Sequence, residues 1–210
     1  MKKRPLVILL LLFLVLAVIS FLYDSQIIRF AETIRNSSLD YFFLSFTFAS
    51  NIYIIFFFLT SLFLLKEHKR RWIPPLWVTS LMALAITFIL QILIARPRPF
   101  QVENISVLQI AFYFMRNNFN TWNFSFPCLQ AVLVFSALPI LAKEFKRFKW
   151  VWFIFACLVA ISRVYFGVNY LSDVIAGGLI GVLIGILVVK VEEKHKIGNK
   201  IIRSCGLSKR

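Results

Sequence analysis

WIPPLWVTSLMALAITFILQILIA, residues Trp72 to Ala95, runs for 24 residues without an Asp, Glu, Lys or Arg. A helix of that length reaches roughly 36 Å, more than the ~30 Å hydrocarbon core of a bilayer. It therefore reads as a membrane-spanning helix, and the pattern recurs on both sides of it. Pro5 to Tyr23, Tyr41 to Leu65 and Phe124 to Ala142 are also uncharged and close to the ~20 residues that a span needs. Trp150 to Ser162 is too short alone, so that span is expected to continue through Arg163 to about Val168. Val174 to Val189 becomes a full span only by starting near Asn169 and taking Asp173 into its first turn. The expectation is an all-α, six-helix transmembrane bundle with spans at about 5–23, 41–65, 72–95, 124–142, 150–168 and 170–189. Residues 1–195 form one integral membrane domain in this reading, followed by a basic tail at 196–210.

Composition excludes a water-soluble globule, since 60% of the chain is hydrophobic, 17% aromatic and only 16% charged. In a soluble protein a formal charge of +15 would suggest nucleic acid. Here the charges alternate between the two sides of the spans. Eighteen of the 24 Lys and Arg fall on the side that holds both termini, against six on the other, so the positive-inside rule makes both termini cytoplasmic. The basic excess then reads as topology and attraction to anionic headgroups, and no nucleic-acid partner is expected. The basic start and apolar run also look like a signal peptide. That run is long for a signal core and no Ala-x-Ala site closes it, so an uncleaved first span is the better reading. Cys128, Cys157 and Cys205 have neither metal-like nor paired spacing, and no disulfide, metal or cofactor is expected.

Between the spans, Asp24 to Asn36 has the pattern of a short amphipathic helix lying on the outer surface. The longest connection, Pro97 to Asn123, carries a second such piece around Val107 to Met115. Gly177, Gly181 and Gly185 recur every four residues on one helix face, which lets a neighbouring helix approach closely and reads as packing.

Polar residues that are hard to place as ordinary loop residues cluster at the outer ends of the last four spans. They stand in QILIARPRP (Gln91 to Pro99), FPCLQA (Phe126 to Ala131) and SRVYFGVNYLSD (Ser162 to Asp173). Their order and ungapped spacing resemble the three motifs K-x6-R-P, P-S-G-H and S-R-x5-H-x3-D of the type 2 phosphatidic acid phosphatase and haloperoxidase-like superfamily. The resemblance spans the whole six-helix layout and implies the lipid-phosphate-phosphatase fold. It also implies a site where a third-motif histidine attacks phosphorus, the P-S-G-H histidine protonates the leaving group, and an Asp orients the nucleophile. The lysine, arginines, serine and glycine of the motifs bind phosphate.

Position by position, Gln91 stands for the lysine, Cys128 for the serine, Leu129 for the glycine, Gln130 for the acid histidine and Asn169 for the nucleophile. Arg98, Pro99, Pro127, Ser162, Arg163 and Asp173 match. An imidazole can attack as a free base and carry a proton, whereas the amides of Asn169 and Gln130 have no comparable capacity. The inherited mechanism is therefore expected to be lost. Cys128 is the one remaining conventional nucleophile. Leu129 intrudes where a glycine would let phosphate reach backbone N–H groups.

What remains is an anion-recognition remnant. Arg98 and Arg163 can each grip phosphate through paired N–H groups, with Gln91, Ser162 and Asp173 as supporting residues. Asp173 is expected to pair with Arg163 or accept from Asn169. The bland alternative is that the arginines only snorkel to headgroups. Three functions stay open: an inactive member binding a phosphate-bearing or polar lipid headgroup at the outer leaflet, a divergent lipid phosphatase or phosphotransferase using Cys128, and a membrane scaffold without ligand. The expected partner is a membrane lipid, with a protein partner or homo-oligomer also open. The expected location is the plasma (inner) membrane, with the pocket on the extracytoplasmic side.

Overall fold

In the computed structural model, which describes residues 19–65, 67–102 and 124–198, every regular element among those residues is helical. The start of the first expected span, the piece at Val107 to Met115 and the end of the tail lie outside the described residues. Helix α1 covers residues 19–33, so the end of the first apolar run and the amphipathic stretch after it are one continuous helix rather than two elements. Asp24, Ile28 and Ala31 recur at helical spacing and are all buried, while Phe30 and Ile34 are exposed. One face of α1 is thus packed on the protein.

The apolar run at 41–65 does not form one straight helix. Helix α2, Ser37–Ala49, and α3, Ile52–Leu64, meet at a 64° bend. The cause is local. Asn36 accepts from the Leu39 N–H at 2.9 Å to start α2, and Asn51 accepts from the Tyr53 N–H at 2.9 Å to start α3. The sequence carries no charge that marks such a break, because Ser50 and Asn51 are uncharged polar residues in a run that also holds Ser45, Thr47, Thr60 and Ser61.

Helix α4, Ile73–Ile94, has prolines in its first turn, where their missing N–H costs nothing. It ends at Ala95, whose φ of 49° is left-handed, and Pro97 and Pro99 keep the chain from resuming the helix. A single helical turn, α5, spans Pro99–Val102. The run at 124–142 is helical only from Leu129: α6 is Leu129–Ser136 and α7 is Leu138–Glu144. Pro139 accounts for the break, since it removes a backbone donor and crowds the preceding turn. Helix α8, Phe148–Tyr165, leads through Gly167 (φ 63°) into α9, Leu171–His195. Three helices, Lys69–Ile94, Phe148–Tyr165 and Leu171–His195, are long and apolar enough to cross a membrane, and the bent α2–α3 pair makes a fourth candidate among the described residues.

The glycine stripe sets how closely α9 lies against α6. A Cβ on Gly177 would sit 2.8 Å from the Cys128 carbonyl oxygen, and one on Gly181 or Gly185 would collide with the Val132 or Ser136 carbonyl oxygen. These are backbone atoms one turn apart along α6 and cannot step aside. Gly181→Ala should therefore destabilise the protein by about 1–3 kcal/mol in thermal unfolding in detergent. Gly178→Ala, whose Cβ meets only the Phe135 ring at 3.5 Å, should change little. The same close approach fixes the head of α6 against the head of α9, where the second and third motif segments stand.

Candidate functional site at the head of the bundle

Asp173 is the hub of the motif residues. It is fully buried in the first turn of α9, and its Oδ2 accepts from the Tyr170 N–H at 2.8 Å, closing the helix start. The same oxygen accepts from Ser125 Oγ. Its Oδ1 is paired with Arg96 Nη1 at 2.7 Å. Arg96 reaches on to Asp24 of α1, with Nη2 to Oδ2 at 2.9 Å, and to Ser172 Oγ at 2.8 Å. Its guanidinium carbon lies 4.0 Å from the centroid of the Tyr170 ring. The expected partners of Asp173 are thus corrected: Arg96 takes the carboxylate, and Asn169 does not donate to it. Asn169 instead donates from Nδ2 to the Ser125 carbonyl at 2.7 Å.

That bond belongs to a backbone seam joining the three motif segments. Ser125 N–H donates to the Arg96 carbonyl at 2.8 Å, and Cys128 N–H donates to the Asp173 carbonyl at 3.1 Å. Gln91, at the lysine position, donates to the Pro127 carbonyl at 3.3 Å and so braces the second motif from α4. Cys128 is fully buried at the head of α6, and its thiol lies 3.9 Å from Gln130 Oε1. Gln130 and Leu129 are half-buried at the same helix start. Ser162 faces away from this seam, donating to the Val159 carbonyl at 2.7 Å and accepting from Thr47 of α2 at 3.3 Å.

The two motif arginines come together. Arg98 lies near Arg163, Cys128 and Asp173, and burial followed by repulsion from Arg163 pushes its pKa down to about 10. Its Nε is buried without a hydrogen-bond partner among the described residues. Arg163 is 3% exposed and sits beside Cys128. Two like charges held near each other, Arg163 buried and Arg98 half-buried, are a cost to the fold that an anion between them offsets. Replacing Arg98 by Met should therefore leave the ligand-free melting temperature equal or raise it by a few degrees, read by thermal unfolding in detergent without phosphate.

No imidazole reaches this place. The chain has two histidines, His68 and His195. His195 ends α9, 22 residues from Asp173, or roughly 33 Å along the helix. His68 lies in the 3-10 turn Glu67–Trp72 that precedes α4, a full helix length from Gln91.

Asp24, Arg96, Ser125, Tyr170 and Ser172 join the site without being marked by the motif pattern. Arg96 stands in the same RPRP run as Arg98, and Asp24 is the charge that closes the first apolar run. Both signals are present in the sequence, but neither marks the partner 72 residues away.

A family model described as the PAP2 superfamily matches residues 72–197. Over 64 residues the chain is 41% identical to the bacitracin transport permease protein BcrC of Bacillus licheniformis, covering 30% of this chain and 32% of that protein. It is 36% identical over 85 residues to phosphatidylglycerophosphatase B of Bacillus subtilis strain 168, covering 35% and 42%. It is 29% identical over 139 residues to undecaprenyl-diphosphatase of Sulfolobus acidocaldarius, covering 66% and 64%. The matched stretches thus span about a third to just under two thirds of these relatives. Among solved structures, Aquifex aeolicus LpxE superposes with a TM-score of 0.67 at 27% identity, covering 80% of this chain and 94% of that one. The PAP2-type phosphatidylglycerolphosphate phosphatase of Bacillus subtilis gives 0.66 at 24% identity, covering 90% and 96%, a likeness of fold. With the three motif segments joined at one end of the bundle and the family model spanning more than half of its length, this chain belongs to the PAP2 superfamily.

Proposed function

We propose that the protein is a catalytically inactive PAP2-type membrane protein that holds a phosphate-bearing lipid headgroup between Arg98 and Arg163, at the extracytoplasmic end of its bundle in the plasma (inner) membrane. The observation that carries this reading is the half-buried Arg98 lying near the buried Arg163 where no imidazole stands. A guanidinium keeps its charge when desolvated and presents a planar fork to phosphate oxygens, so the recognition half of the site survives the loss of the chemical half. The relatives named as phosphatidylglycerophosphatase and undecaprenyl-diphosphatase act on lipids bearing phosphate, which supports the same ligand class here.

The test is retention of lipid by vesicles of defined composition. Protein in nanodiscs should take up short-chain phosphatidate in preference to the matched phosphatidylcholine, and inorganic phosphate should compete weakly. Equal uptake of both lipids would sink the headgroup reading and leave a scaffold.

A further inference from the structure

Asp24 lies outside all three motif segments, on α1, yet it is 3% exposed and both its oxygens are engaged at the motif end of the bundle. Oδ1 accepts from the Ser172 N–H at 3.0 Å, and Oδ2 accepts from Arg96 Nη2 at 2.9 Å and from Ser172 Oγ. A carboxylate buried in an apolar setting is costly unless paired, so its presence at this point calls for a role. Part of the role is local, because Ser172 N–H is one of the donors left over at the start of α9. The rest passes through Arg96.

Arg96 is clamped between two carboxylates, Asp24 at 2.9 Å and Asp173 at 2.7 Å, and its guanidinium carbon lies 4.0 Å from the Tyr170 ring centroid and 4.8 Å from that of Phe21. Its own carbonyl accepts from Ser125 N–H at 2.8 Å, and the next residue, Pro97, pairs with Phe124 as an isolated bridge. Two residues on is Arg98. Prolines on both sides of Arg98 fix φ at about −65°, leaving the backbone between Arg96 and Pro99 few alternatives. Arg98 N–H is held by Gln101 Oε1 at 3.0 Å, and Phe100 N–H by the Gly167 carbonyl at 3.2 Å, four residues after Arg163. The direction in which Arg98 leaves the chain is therefore set by where Arg96 is anchored.

We infer that Asp24 is a positioning residue for the headgroup site: by holding Arg96 Nη2 while Asp173 holds Nη1, it fixes the Arg96–Pro99 segment and so aims Arg98 at the space beside Arg163. The inference rests on the reading of Arg98 and Arg163 as a binding pair. It makes the first helix part of the binding apparatus, although that helix carries none of the family motifs.

The experiment titrates the full-length protein in detergent with short-chain phosphatidate, with circular dichroism and thermal unfolding run on each variant. Asp24→Asn and Arg96→Lys should keep the helical spectrum and raise Kd about tenfold. Asp24→Glu, which keeps the charge, should recover part of the affinity. In an Arg98→Ala background Asp24→Asn should add no further loss, because both changes act on one guanidinium; a merely structural Asp24 would lower the melting temperature without this non-additivity. Unchanged Kd in Asp24→Asn, or an additive loss in the Arg98→Ala background, would overturn the inference while leaving the binding pair standing. Should Asp24→Asn fail to fold, Arg96→Lys decides by the same criteria. Absence of binding by the unaltered protein would instead defeat the headgroup reading on which the inference rests.

Discussion

Purified protein offered phosphatidate, lysophosphatidate or polyprenyl diphosphate should release no phosphate above the uncatalysed rate. The two positions that would carry nucleophile and acid hold Asn169 and Gln130. Asn169 is 2% exposed, and its amide nitrogen is spent on the Ser125 carbonyl at 2.7 Å. An amide lone pair is delocalised and cannot displace an alkoxide from phosphorus or carry its proton away. In other enzymes, removing a nucleophile that works as a unit with its proton partner costs on the order of a million-fold in kcat. Returning a single imidazole should not undo the loss. In Asn169→His the new ring would face a carboxylate already paired with Arg96 and accepting from Ser125 and the Tyr170 N–H, so no turnover is expected from that variant alone. Cys128 offers the one competing route. Turnover by the unaltered protein that disappears in Cys128→Ser would show that chemistry has moved to the thiol, against the inactive reading.

Asp173→Ala should be the most damaging single substitution to the fold. It removes at one stroke the acceptor for Arg96 Nη1, for Ser125 Oγ and for the Tyr170 N–H, and leaves the Arg96 charge with Asp24 alone. Breaking one partner out of a buried ion pair costs about 3–5 kcal/mol, a large part of the roughly 5–15 kcal/mol that holds a domain folded. Asp173→Asn keeps one oxygen that can accept from Tyr170 and Ser125 but loses the charge and turns the other acceptor into a donor facing Arg96, so its cost should be smaller, about 1–3 kcal/mol. Thermal unfolding in detergent, read beside the yield of monodisperse protein, checks the order of the two variants. Equal melting temperatures for Asp173→Ala and the unaltered protein would mean that the hub is not structural.

The helical architecture was legible because the solvent that the chain must satisfy is a bilayer. Long uncharged runs such as Trp72 to Ala95 leave helices as the natural way to pair their backbone groups. The breaks were not legible. Asn51 starts a new helix by capping Tyr53 N–H, and Pro139 splits the run after Phe124, yet neither places a charge in its run. At the site, Arg98 and Arg163 are singled out by the resemblance of two separate segments to the family motifs, each of which runs from the end of one helix toward the start of the next. The clamp on Asp173 is not. Arg96, Asp24 and Ser125 come from three separate segments, and spacing along the chain says nothing about which carboxylate an arginine meets across the bundle. Gln91 shows the opposite case. Its position reads in sequence as a phosphate contact replaced, and the structure gives it a structural bond to the Pro127 carbonyl at 3.3 Å.

The most direct measurement is calorimetric titration of the detergent-solubilised protein with short-chain phosphatidate, run on the unaltered chain and on the Arg98→Ala/Arg163→Ala double variant. Each guanidinium contributes charge-assisted hydrogen bonds of about 1.5–3 kcal/mol, so the double variant should bind at least about 100-fold more weakly while keeping the helical spectrum of the unaltered protein. Equal affinity in the two proteins would contradict the assignment of Arg98 and Arg163 as the headgroup-binding pair.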